Sequence, residues 1–156
     1  MLIKLGWVEL ANVDWSTGGS IDSGTITEKR FLLILTHCVA GGSTDISYTL
    51  NSDSGTTYST RSSSNNATDV TTINVTSSGN QTYSGTGTLQ SVCYIVNEAD
   101  KDKLAVNCGQ QVTVGGTAPN RIWSSWKWGN SSDAITSVQA ISNFTTDSNL
   151  TVLGSD

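Results

Sequence analysis

His37 is the only histidine, and it lies inside residues 30–40, RFLLILTHCVA, the most apolar stretch of the chain. With 23 serines a Ser-His-Asp set is formally available, but no G-x-S-x-G turn presents a nucleophile. His37 therefore reads as a structural histidine. One histidine and three dispersed cysteines do not make a zinc or other transition-metal site. Cys38, Cys93 and Cys108 each sit in an apolar run, where a cysteine behaves as a small hydrophobe; they read as buried free thiols, as in a reducing compartment. Asp53, Asp69, Asp100, Asp102, Asp133 and Asp147 fall at turns, where Asp bonds its own backbone. No carboxylate pair suited to glycoside hydrolysis stands out. Asp100-Lys101-Asp102 opens like a calcium loop, but the Gly and distal Glu are missing. The expectation is a protein that is not an enzyme and needs no cofactor or metal.

One patch is distinctive: residues 121–129, RIWSSWKWG. In an extended strand Trp126 and Trp128 share one face, and Trp123 and Lys127 the other. Two readings follow. Exposed indoles stack on sugar rings, which makes Arg121, Trp123, Trp126 and Trp128 a candidate interaction surface. Alternatively Trp126 and Trp128 fill the core, with Trp123 at an edge or interface, because two Phe leave few other large rings for that purpose. The second reading is preferred.

The elements that position this patch are strands. Short alternating runs separated by Gly, Asn, Asp and Ser recur at roughly ten-residue spacing, the pattern of a sandwich or barrel. Residues 2–10, 21–27, 45–51, 56–61, 70–75, 89–97, 103–114, 121–129, 134–141 and 150–153 are the expected strands. Residues 45–51 and 56–61 flank a D-S-G turn and read as a hairpin. Residues 30–40 form a continuous apolar run, expected as a central strand buried on both faces. Residues 76–88 read as a surface loop or weak edge strand. No stretch has a helical period. The fold class is all-β: an antiparallel two-sheet sandwich, jelly-roll-like first and immunoglobulin-like second. The 156 residues form one domain, with residues 1–20 as an extended arm.

Composition agrees with this. Only 13% of residues are charged, against about 25% in a typical soluble chain. The chain holds 23 Ser, 22 Thr and 12 Asn, and its net charge is -5. That balance argues against a nucleic-acid partner, and no apolar run is long enough for a membrane helix. The first residues, MLIKLGWVEL, do not form a signal peptide. Six N-x-S/T sequons are read as products of this composition rather than glycosylation sites.

Several pieces, in order along the chain, resemble a family of small proteins encoded by tailed bacteriophages and their marine metagenomic relatives. They are Trp7-Val8-Glu9-Leu10, Lys29-Arg30-Phe31-Leu32, residues 51–58 (NSDSGTTY) with Arg61, Asp100-Lys101-Asp102-Lys103-Leu104, and Ala118-Pro119-Asn120-Arg121. Lys127-Trp128-Gly129-Asn130-Ser131 with Ile135-Thr136 follows, and then the terminal Val152-Leu153-Gly154-Ser155-Asp156. Trp123 and Trp126 depart from the pattern. The resemblance implies a non-enzymatic β-sandwich of the virion, assembled in the host cytoplasm. Its expected role is capsid decoration: a cement subunit, a homotrimer, bound over junctions of the major capsid protein. The alternative is a tail or fibre module that binds carbohydrate through its tryptophans.

Overall fold

The computed structural model describes residues 6–15, 19–40, 44–78, 81–83, 87–113 and 118–156. Twelve strands occur among them: β1 (Val8–Asp14), β2 (Gly19–Asp22), β3 (Phe31–Ala40), β4 (Thr44–Leu50), β5 (Tyr58–Ser64) and β6 (Val70–Val75), then β7 (Gln81–Tyr83), β8 (Gly87–Val96), β9 (Lys103–Thr113), β10 (Asn120–Trp128), β11 (Val138–Phe144) and β12 (Asn149–Ser155). No helix is present among the described residues, so none could cross a membrane there.

All pairings are antiparallel. Eight strands form one sheet in the order β6-β5-β10-β9-β8-β3-β12-β1. The second layer is β2-β11-β4, extended by the short β7 beside β4. A single pairing, Phe144 with Ala40, links the layers. The expected two-sheet antiparallel sandwich is what forms, with layers more unequal than in a jelly roll, which shares about eight strands between two sheets.

The core lies between the layers. Tyr48 of β4 stacks on Trp126 of β10 at 6.4 Å between ring centroids. Its hydroxyl sits in a buried chain in which Thr36 donates to Tyr48 (3.0 Å), Tyr48 to Ser91 (3.1 Å) and Ser91 to Asn107 (2.7 Å). Burying these hydroxyls is tolerable because each is paired. Lys103 is also fully buried. Its ammonium donates to the carbonyls of Ala99, Lys101 and Asn130 at 3.2, 2.8 and 2.8 Å and lies 5.7 Å from the Trp128 ring. At Gly154 of β12 a Cβ would come within 2.6 Å of both Leu10 and Lys29, so only glycine lets β1 and the segment before β3 close over that strand.

Several expectations need correction, among them the strand expected over residues 21–27, which ends at Asp22. Residues 45–51 and 56–61 are not a hairpin: β4 pairs with β11 and β7, and β5 with β10 and β6. The turn between them crosses from one layer to the other. Asn51 and Ser52 both take positive φ (52° and 56°), and the Asn51 side chain binds the Ala134 carbonyl and the Thr136 and Ser137 amides. The strand expected at residues 134–141 begins only at Val138, since Asn51 already occupies those backbone groups. The first strand starts at Val8 and its expected portion over residues 2–5 lies outside the described residues. Finally, β3 is central but not buried on both faces. Leu32, Ile34, Thr36 and Cys38 are buried, while the alternate residues from Phe31 to Val39 are half-buried.

Candidate interaction face

The tryptophan strand divides cleanly. Along β10, Ile122, Ser124, Trp126 and Trp128 are buried, and Arg121, Trp123, Ser125 and Lys127 are exposed. Trp128 stacks on its register partner Tyr58 at 6.4 Å and 17°. Its indole N–H donates to the Asp53 carboxylate at 2.6 Å. The Trp126 N–H meets no acceptor in hydrogen-bond geometry beyond the weak one offered by the Cys93 sulfur. Of the four candidate surface residues, Trp126 and Trp128 therefore belong to the core, as the period-2 alternation allowed. Arg121 and Trp123 remain on the surface, and Trp123 is 54% exposed.

Trp123 belongs to a larger feature. Directly opposed residues of an antiparallel pair share a face, so the register gives the outer face of the large sheet as rows. One row runs from Ser63 through Trp123, Cys108, Val92 and Leu35 to Thr151 and Asn12. The next runs from Arg61 through Val106, Tyr94 and Leu33 to Glu9. A third runs from Lys127 through Leu104 and Val96 to Phe31. Val106 and Leu104 are 56% and 60% exposed. At one corner Phe31 stacks on Tyr94 (6.0 Å), and Trp7 meets Tyr94 edge-on (6.4 Å). Arg30 lies 5.4 Å over the Phe31 ring and is neutralised by Glu98 at 2.7 Å. An apolar depression of about 560 Å³ lies over Tyr94, Val96, Leu104 and Val106.

Charge is confined to the borders of this face. Arg61, Arg121 and Lys127 stand on the β5–β10 side, with Asp102 pairing Lys127 at 3.0 Å and Asp69 nearby. Glu9 and Asp14 stand on the β1 side. Contiguous apolar surface of this extent marks a contact site in soluble proteins. Alternation along β9 puts Leu104, Val106 and Cys108 on one face, but alternation alone does not say which face a second layer covers, and here it is the opposite one.

The residues singled out for chemistry have structural surroundings. His37 is half-buried on the outer face, its Nδ1 3.1 Å from the Asp147 carbonyl. Cys38 and Cys93 are buried; burial pushes the Cys38 thiol up to about 11 and raises that of Cys93 as well. Cys108, expected to be buried, is only half-buried, because it stands on the uncovered face beside Trp123. Asp53 binds the crossover turn. It accepts from the Trp128 indole, the Gly55 amide (2.8 Å) and the Thr57 hydroxyl (2.8 Å), and these bonds, Trp128 first, hold its pKa below the usual carboxylate value. Among the described residues no group of three or more His, Cys, Asp or Glu could hold a metal ion.

No family model matches the chain, and neither does any curated protein or solved structure.

Proposed function

We propose that this chain is a non-enzymatic structural subunit of a tailed-phage virion, a decoration or cement protein that stabilises the head by binding over junctions of the major capsid protein. The observation that carries the reading is the exposed apolar face of the large sheet, with Leu104, Val106 and Trp123 more than half exposed and charge at its rim. Such a face suits a chain that works in an assembly. The sequence resemblance supplies the kind of assembly, and the fold by itself does not decide function. Many copies bound to the assembled shell, and not to its free subunits, would stabilise the shell by mass action. The test is to mix the purified chain with expanded heads and image them by electron microscopy. Ordered density at capsid-subunit junctions is expected; heads that stay bare would overturn the proposal.

A second reading is supported by one position. Trp123 lies exposed in a shallow depression of about 360 Å³ with Arg61, Ser63, Asp69 and Ser125. An indole beside hydroxyls and charged groups suits stacking on a sugar ring, as in a tail or fibre module. Loss of glycan binding on Trp123→Ala, with unchanged stability, would favour it; absence of glycan binding in the wild type would remove it.

A further inference from the structure

We infer that the outer face of the large sheet is the interface between two copies of this chain, packed sheet on sheet about a two-fold axis along β8. The inference stands apart from the virion reading, and it gives the face on which that reading rests to a second copy, so that the dimer would meet a capsid by other surfaces.

The register carries the argument. Counting from β5 to β1, β8 is the middle strand of seven. A two-fold axis lying in the interface and running along β8 maps each row onto itself with its ends exchanged. The row that begins at Arg61 ends at Glu9, with Tyr94 on the axis. Arg61 of one copy then lies over Glu9 of the other. Arg121 heads the row Arg121–Gln110–Gln90–His37–Asn149, which ends at Asp14. The same operation sets Arg121 over Asn149, whose amide already donates to Asp14 at 2.8 Å. One symmetry operation thus brings Arg61 and Arg121 to the acidic border, while Lys127 comes over Ser155 and keeps its own partner, Asp102. The other in-plane axis, across the strands, would set the basic border against itself. Closed two-fold contacts need this kind of self-complementarity.

The interior of the face fits the same pairing. Val106 meets Leu33 of the other copy, Leu104 meets Phe31, and Cys108 meets Leu35. These are apolar contacts of the kind that fill the roughly 10 Å gap between stacked sheets. Seven strands about 4.8 Å apart and three rows deep give a face on the order of 700 Å² per copy, apolar over its middle strands and polar at both ends, close to the roughly 800 Å² per partner of a stable interface. The homotrimer that the resemblance implies would need this face to meet a different patch.

Native mass spectrometry and light scattering on the full chain test the pairing. A dimer is expected at micromolar concentration. Val106→Arg should give a monomer with unchanged circular dichroism, since the side chain lies outside the core. Arg61→Glu alone, and Glu9→Arg alone, should each weaken the dimer by about tenfold through two symmetry-related pairs, and the double reversal should restore it. A wild-type monomer or trimer would overturn the inference, and so would a double reversal no better than the singles. If a monomer binds a hydrophobic dye only after residues 1–5 are deleted, the face belongs to the chain's own N-terminus and the pairing is wrong. A dimer that leaves heads bare would remove the proposed function and leave the pairing intact.

Discussion

The inner and outer faces of the large sheet invert the usual division of labour. The covered face carries Thr36, Ser91, Asn107, Gln111, Ser124 and Lys103 among its apolar residues, all buried. The uncovered face carries Val92, Leu104, Val106, Val112 and Trp123, all exposed. A sheet with one face to water normally turns its polar residues outward. Here the polar residues turned inward are fixed by hydrogen bonds, and these five apolar residues turned outward are 47–60% exposed. The inner face specifies this fold, and the outer face is the one on which the inferred pairing rests.

The largest test of that division compares two tryptophans on one strand. Trp128→Ala removes a fully buried ring, its stack on Tyr58 and its hydrogen bond to Asp53. It should cost about 3–5 kcal/mol of folding stability, read by urea unfolding. Trp123→Ala should change the stability of the monomer by less than about 0.5 kcal/mol. Equal losses at both positions would break the comparison.

How far the sequence reveals this division depends on which information is local. Period-2 alternation assigned Trp126 and Trp128 to one side and Trp123 and Lys127 to the other, and the structure keeps that split. The strands expected at residues 70–75, 89–97 and 103–114 are legible for the same reason and form as β6, β8 and β9, with Asn97 just past β8 and Val114 outside the described residues. Pairing partners were not. The D-S-G turn looks like a hairpin locally, yet Asn51 and Asp53 are bound by residues 75 or more positions away. The continuous run at residues 30–40 carried the most about function. Reading it as buried on both faces was wrong for the chain alone, and the inferred pairing would make it true of the assembled molecule.

An intermediate effect is expected within the polar inner face. Tyr48→Phe removes the hydroxyl that joins Thr36 to Ser91 and leaves buried groups without partners. A loss of about 1–3 kcal/mol should follow, again by urea unfolding. A neutral result would mean that this network does not specify the core.

Asp53 gives a smaller, pH-dependent effect. Its folded pKa lies below the ordinary value of 3.8, chiefly through the Trp128 indole. The stabilisation from its ionised form is complete above that ordinary value and is lost as pH falls through the folded one. Asp53→Asn should therefore flatten the fall in the urea midpoint as the pH drops below 3.8. The exposed Asp100, Asp133 and Asp156 carboxylates, also lowered, would keep the remaining slope.

The smallest perturbation reads the two faces with the chain's own thiols. Cys93 and Cys108 lie on adjacent strands, one turned inward and one outward. A thiol reacts as its thiolate, and burial raises the pKa of both Cys38 and Cys93 while sealing them from reagent. Iodoacetamide on native protein at pH 8 should label Cys108 alone, with the other two labelled only on unfolding. Dilution then sharpens the contrast, because Cys108 sits in the middle of the row that the inferred pairing covers. Its labelling rate should rise as the protein is diluted through the dimer–monomer transition, and in Val106→Arg it should be fast at every concentration. A rate indifferent to concentration in a proven dimer would place the contact on another face.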